Sequence, residues 1–192
     1  MKHIFLILFV VLNISVLFGQ DKSNYIHFNK LIEVKGSEYV IATIENTGKM
    51  FETNAKYLLF INTLDGTIQR VDFPKDANIR EIKQIKIDSL EINKIVVCAQ
   101  TVDLDEKKGI EWDEPAQIIV LSTDGKEKTQ LTEDKFFVRT WIVNQETGKI
   151  VITGHYDSNN NRKYDKTDES QILIYDLIML KLVSKISYIE TR

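Results

Sequence analysis

The sequence predicts an all-β protein built from antiparallel four-stranded sheets that repeat along the chain. Three observations carry this prediction: short strand-like segments, explicit hairpin turns, and internal repetition of the segment pattern. The chain has 192 residues, of which 43% are hydrophobic and 28% charged, so it has enough apolar material for a folded domain.

The strand-like segments are short, rich in β-branched and aromatic residues, and bounded by Gly, Asn, Asp or Pro. Ten strands are predicted, at residues 39–43, 57–62, 67–72, 82–87, 95–101, 116–122, 137–143, 150–154, 171–176 and 181–187. Tight turns are indicated at Asp65-Gly66, Asp124-Gly125 and Thr147-Gly148, because glycine adopts the positive φ that hairpin turns need. A single helical turn is expected within residues 75–84.

The repetition is visible in two stretches. Asn93-Lys94-Ile95-Val96-Val97 recurs about 55 positions later as Gly148-Lys149-Ile150-Val151-Ile152, and Gln117-Ile118-Ile119-Val120 recurs as Gln171-Ile172-Leu173-Ile174. A weaker third copy begins at Tyr39. Each copy contains a strand, an acidic loop, a strand, a tight turn, a strand, and a strand leading into the next copy.

A four-stranded antiparallel sheet repeated at this period is typical of a β-propeller blade. Residues 21–192 are therefore interpreted as one β-propeller-like domain of about three blades. Because propellers usually have at least four blades, the predicted domain is partial or small, open, or closed by forming a homo-oligomer. A plain β-sandwich and an open meander are the alternatives.

Two segments carry a resemblance to a known family. Residues 121–132 and 144–151 resemble the blade endings and turns of TolB-type, WD40-like (PD40) propeller repeats, although Glu-Thr-Gly at 146–148 replaces their Pro-Asp-Gly. The resemblance covers residues 88–187. It implies a platform for protein interactions or an accessory domain.

The first twenty residues differ from the rest of the chain. Lys2 and His3 precede an apolar run from Ile4 to Phe18, and Gly19 and Gln20 lead into polar sequence. This order is typical of a signal peptide, so residues 1–20 are predicted to direct export to the periplasm or the extracellular space, with an uncleaved anchor as the alternative. No transmembrane span is predicted after cleavage.

One acidic loop has the ligand spacing of a calcium-binding loop. Oxygen-bearing side chains occupy its positions 1, 3, 5, 9 and 12, and a backbone carbonyl stands at position 7. The predicted metal ligands are Asp157, Asn159, Asn161, the Lys163 carbonyl, Asp165 and Asp168. The alternative is a solvated loop that is stabilised by local Asx turns.

This segment resembles the calcium loops of dockerin modules. Arg162 replaces the glycine that normally occupies position 6, and strands replace the flanking helices. Two neutral Asn ligands predict weak Ca²⁺ binding, with a dissociation constant of about 10⁻⁴–10⁻³ M. The corresponding loop of the preceding copy, residues 103–114, is predicted to be an ordinary exposed loop.

Little else in the sequence indicates chemistry. The single cysteine, Cys98, lies in a strand-like run and is predicted to be a small buried hydrophobe. His155 is interpreted as a strand-end histidine with a simple hydrogen bond. The formal net charge of −3 does not favour a nucleic-acid partner.

The sequence therefore predicts an exported, non-catalytic binding protein whose partner is another envelope or extracellular protein, with calcium as its candidate stabilising ion. Two alternatives remain open. One is binding of a carbohydrate or small ligand near Trp112 and Tyr164. The other is a hydrolase that uses loop carboxylates, with Asp113 paired to Asp165 or Asp168.

Overall fold

The computed structural model describes residues 26–46, 55–104, 106, 108–161 and 165–187. The predicted all-β class is confirmed: the described chain forms three four-stranded antiparallel sheets and one short 3-10 turn at Asp88–Leu90. The predicted signal peptide lies outside the described residues. Within the described ranges, no helix is long and apolar enough to span a membrane.

Each sheet uses four strands that follow one another along the chain. The first sheet contains β1 (Ile26–Glu33), β2 (Tyr39–Asn46), β3 (Ala55–Asn62) and β4 (Ile68–Lys75). The second sheet contains β5 (Asn78–Ile87), β6 (Ile92–Gln100), β7 (Ala116–Leu121) and β8 (Lys128–Gln130). The third sheet contains β9 (Phe136–Asn144), β10 (Lys149–Tyr156), β11 (Glu169–Asp176) and β12 (Lys181–Ser187).

All ten predicted strands are present, and β1 and β8 are two that the sequence did not reveal. The predicted helical turn at 75–84 is wrong, because β5 occupies most of that segment and pairs with β6 along its length. Ile79, Ile82 and Ile85 recur every third residue, which imitates a helical period. An irregularity between Ile79 and Glu81 interrupts the strand alternation there and allows this spacing within a strand.

The sheets stack through two hydrophobic cores. One core lies between the first and second sheets and includes Ile41, Phe60, Val97 and Ile119. The other lies between the second and third sheets and includes Val96, Ile118, Ile150 and Leu173. Each neighbouring sheet therefore covers a face that a four-stranded sheet cannot bury alone.

The second sheet is apolar on both faces because it contributes to both cores. Along β6 and β7 the side chains alternate between the two clusters, so that Ile95 and Val97 face the first sheet while Val96 and Cys98 face the third. This placement confirms that Cys98 is a buried hydrophobe. Burial raises the pKa of its thiol, which keeps the sulfur in its unreactive protonated form.

The structure also sets the boundaries of the repeat. In the sequence, each recognisable copy begins at the second strand of a sheet. The first strand lies at an edge, and its sequence differs more from one copy to the next. The last strand of one copy in the sequence belongs to the sheet of the next copy. For example, β9 comes directly after β8 in the chain but pairs with β10. A sheet therefore begins one strand before the segment that repeats in the sequence.

Candidate functional site

The candidate site lies at the end of the stack where each second strand gives way to a long connection. Residues 101–115 connect β6 to β7, and residues 157–168 connect β10 to β11. The equivalent connection of the first sheet lies outside the described residues. A further connection, from β8 to β9, contributes Glu133 and Asp134 to this end.

Gln100 holds the base of the 101–115 loop. Its side chain is fully buried at the end of β6, and its Nε2 donates to the carbonyl oxygens of Glu111, Trp112 and Glu114 at 3.0, 3.0 and 2.6 Å. Its Oε1 accepts a hydrogen bond from the Asn78 side chain at 3.0 Å. The two N–H groups of this buried amide are shared among three loop carbonyls, and the Glu111 carbonyl also accepts from the backbone N–H of Glu114. These bonds fix the loop against the sheet.

A second buried glutamine supports the first residue of the same loop. Gln117 accepts hydrogen bonds from the backbone N–H and the hydroxyl of Thr101 at 3.0 and 2.8 Å through its Oε1. Its Nε2 donates to the carbonyl oxygen of Pro115 at 3.0 Å. Gln100 and Gln117 were not predicted as site residues, although the recurrence of Gln117 as Gln171 could have identified one of them.

Trp112 stands exposed on this supported loop. Its side chain is 85% exposed, whereas Trp141 and Tyr156 pack against the core between the second and third sheets. Tyr164 lies outside the described residues. A large apolar ring that is held away from the core by an anchored backbone is a feature of ligand- and protein-binding surfaces.

Asp103 organises the other half of this loop. Its carboxylate accepts hydrogen bonds from the backbone N–H groups of Glu106 and Gly109 at 2.9 and 3.1 Å. Both bonds belong to a local turn of the kind that an aspartate stabilises.

The 157–168 loop gathers its predicted ligands around Asp165. The side-chain amides of Asn159 and Asn161 donate to Asp165 Oδ2 at 3.0 and 2.6 Å, and Asp165 Oδ1 accepts from the backbone and hydroxyl of Thr167. These bonds, led by those from Thr167, hold the pKa of the Asp165 carboxyl well below its usual range. Asp165 is therefore ionised at neutral pH.

Asp168 and Asp157 close the same loop through backbone groups. Asp168 accepts from the backbone N–H of Ser158 at 3.0 Å and from that of Asp165 at 2.8 Å. Asp157 accepts from the backbone N–H of Asn161 at 3.1 Å. The loop thus brings five of the six predicted ligands into one hydrogen-bonded cluster, while Lys163 lies outside the described residues.

All five side chains of this cluster offer oxygen atoms, and three of them are carboxylates. The two Asn amides direct nitrogen toward Asp165, and a half-turn of each amide would present its oxygen instead. In the described part of the chain, no group of three or more His, Cys, Asp or Glu side chains is arranged to hold a metal ion.

His155 and Tyr156 lie where β10 meets the loop. His155 is buried and stacks on Phe137, with ring centroids 5.1 Å apart, and burial lowers its pKa so that the imidazole is neutral at neutral pH. Burial, together with a hydrogen bond to the Glu133 carboxylate, raises the pKa of Tyr156 to about 12. Both groups keep a single protonation state near pH 7, as expected of structural residues.

Comparison with known proteins adds a structural similarity. No protein-family model matches the chain, and no curated protein matches it in sequence. Among solved structures, an acylaminoacyl peptidase from Pyrococcus horikoshii is similar over 86% of this chain, at 10% sequence identity and a TM-score of 0.47. The match spans 25% of that protein, and at this TM-score it does not support a conclusion about the fold or activity of the present chain.

Proposed function

We propose that this protein is an exported, non-catalytic binding module, and that its binding surface is the end of the stack formed by the long connections. The observation that carries the proposal is Trp112, an exposed indole on a loop that Gln100 anchors through three hydrogen bonds. An anchored loop loses little conformational entropy when a partner binds, and tryptophan contributes more contact energy than most side chains.

The partner class that fits this surface is another envelope or extracellular protein. The resemblance of the blade turns to TolB-type repeats and the signal-peptide pattern of residues 1–20 support this assignment. In the hydrolase alternative, Asp113 would pair with Asp165 or Asp168. The carboxylates of Asp165 and Asp168 both accept hydrogen bonds within their own loop instead, which supports a binding function over a hydrolase.

Trp112→Ala tests the binding surface directly. We expect the immobilised variant to lose the envelope protein that the wild-type protein retains, with affinity reduced by roughly 30-fold, which is the cost of removing a central aromatic contact. Leu64→Ala is the matched control, because Leu64 is 83% exposed on the β3–β4 turn at the opposite end of the stack. Equal retention by wild type and Trp112→Ala would contradict the proposal.

Carbohydrate binding is the second candidate, and the same indole favours it because sugar rings stack on exposed aromatic faces. The same pair of variants separates the two candidates. A glycan array that responds to wild type and to Leu64→Ala, but not to Trp112→Ala, would support the carbohydrate, and a silent array would eliminate it.

We further propose that the 157–168 loop binds Ca²⁺ weakly, through Asp157, Asn159, Asn161, the Lys163 carbonyl, Asp165 and Asp168. The oxygen-rich donor set and the ionised Asp165 support this proposal. The bound ion would replace the amide-to-carboxylate hydrogen bonds and add ordering of the loop.

Calcium titration by calorimetry tests this second proposal. We expect a dissociation constant of about 10⁻⁴–10⁻³ M and loss of the signal in Asp157→Ala. Asp103→Ala is the matched control, because Asp103 occupies the first position of the preceding loop and accepts similar backbone hydrogen bonds. A wild-type protein that gives no heat with millimolar Ca²⁺, or an unchanged signal in Asp157→Ala, would exclude the site.

A further inference from the structure

The first and third sheets each present an apolar outer face that no described part of the chain covers. On the third sheet, Ile142, Val151 and Ile174 lie side by side on the outer face, and Ile142 is 66% exposed. On the first sheet, Leu31, Ala42 and Leu59 lie side by side on the outer face, and Leu31 is 67% exposed. Only Leu31 and Ile142 are exposed in these two apolar rows, Leu59, Val151 and Ile174 are half-buried, and Ala42 is buried. Apolar rows of this kind on an outer face mark an interaction surface.

The internal repeat shows what covers a face of the third-sheet type. Val151 and Ile174 are directly paired across β10 and β11, as their repeat equivalents Val96 and Val120 are across β6 and β7. Val96 and Val120 are buried beneath the third sheet. The outer face of the third sheet therefore has the composition and register of a face that, one repeat earlier, receives a further blade.

The outer face of the first sheet corresponds to the opposite face of the second sheet, the one that packs on the preceding sheet. Its Val40–Ile61 pair corresponds to Ile95–Leu121 in the second sheet, and Ile95 and Leu121 are buried against the preceding sheet. The first sheet therefore carries the kind of face that packs onto a preceding blade. The outer face of the first sheet and that of the third sheet therefore correspond to the two sides of one blade-to-blade contact.

We propose that two copies of this chain associate head to tail, with the first sheet of each copy packed on the third sheet of the other, to form a closed ring of six blades. Six lies within the usual range of four to eight blades, whereas three copies would give nine. A heterologous contact closes into a ring when its rotation divides a full turn, and one that does not close leads to filaments.

The charges on the two outer faces do not distinguish the possible contacts. Glu33 and Arg70 both lie on the outer face of the first sheet, and Asp176 lies between Lys149 and Lys181 on that of the third, so each face carries both signs. The proposal therefore rests on the apolar rows and on the register of the repeat. This proposal does not depend on the binding function that we assign to the loops.

Sedimentation velocity of two complementary variants tests the ring. Ile174→Glu alters the outer face of the third sheet, and Ile61→Lys alters that of the first. We expect wild type to sediment as two copies. The dissociation constant of each variant alone should be at least about 100-fold higher than that of wild type. Leu64→Glu is the control, because Leu64 is exposed on a turn outside both faces, and it should sediment as wild type.

Mixing the two variants is the decisive step. The mixed pair keeps one unaltered interface and places glutamate opposite lysine in the other, so a two-copy species should return at concentrations where neither variant alone assembles. Three results would overturn the proposal: a monomeric wild type at every concentration, a ladder of ever larger species, or persistent two-copy assembly of Ile174→Glu. If circular dichroism shows either variant unfolded, Ile172→Glu and Val40→Lys replace the pair on the same two faces.

Discussion

At the scale of single residues, Gly125 shows how a local turn is tied to a distant sheet. Its φ of +75° is the conformation expected from the Asp-Gly turn, and the sequence predicted that turn correctly. The sequence did not predict that a Cβ at this position would lie 2.5 Å from the Phe60 ring. Phe60 is fully buried in the first sheet, so this glycine is needed for its backbone conformation and for the packing between sheets.

Gly125→Ala tests both needs. We expect the free energy of unfolding to fall by about 3 kcal/mol, with about 1 kcal/mol from the positive φ and about 2 kcal/mol from overpacking against Phe60. Gly66→Ala is the matched control, because Gly66 has a φ of +74° and nothing within 4 Å of the added Cβ, so that only the first contribution remains. Urea unfolding measures both, and equal losses would show that Phe60 moves aside at no cost.

At the scale of elements, Asp176 shows how one carboxylate both ends a strand and forms a turn. Its Oδ1 accepts from the backbone N–H groups of Ile178 and Met179 at 2.8 and 2.9 Å, and its Oδ2 lies 3.0 Å from Lys149 Nζ. The Met179 hydrogen bond, followed by that from Lys149, holds the pKa of the Asp176 carboxyl below its usual value of 3.8. The β11–β12 turn is therefore stabilised by an ionised side chain.

The pH dependence of stability follows from this lowered pKa. The contribution of Asp176 is fully present above the ordinary carboxyl pKa of the unfolded chain, and is lost as the pH falls through the folded value. We expect Asp176→Asn to be about 1 kcal/mol less stable than wild type at pH 7, and this difference to shrink below pH 3.8. Thermal unfolding from pH 7 to pH 2.5, with exposed Asp88→Asn as control, measures it; a difference that does not change with pH would contradict the assignment.

The two candidate loops differ in how far sequence reasoning reached. The oxygen-bearing side chains around Asp165 were predicted from their spacing, because ligands within one short loop are set by local geometry. Gln100 and Gln117 were not predicted, because their roles depend on loop carbonyls that become neighbours only after β6 and β7 pair. Local chemistry is readable in one segment, whereas contacts between elements are not.

At the scale of the whole molecule, periodicity predicted the architecture and missed its boundaries. The pairing of Ile95 with Leu121 has an equivalent in the later strands. Because strands that pair in the same register carry similar side chains at equivalent positions, the repeated sequence identified the four-stranded units. The edge strands β1 and β8 were missed: β8 spans only three residues, and β1 interleaves polar residues with its apolar ones. Edge positions pack less and therefore carry less pattern.

The doubly buried second sheet also shapes how the molecule loses its structure. Since each hydrophobic core has one wall from β5–β8, neither outer sheet keeps a buried face once that middle layer melts. Loss of the middle sheet therefore removes both hydrophobic cores together, whereas loss of one outer sheet leaves the other core in place. A substitution that destabilises only the second sheet would thus weaken the packing of the first and third sheets at the same time.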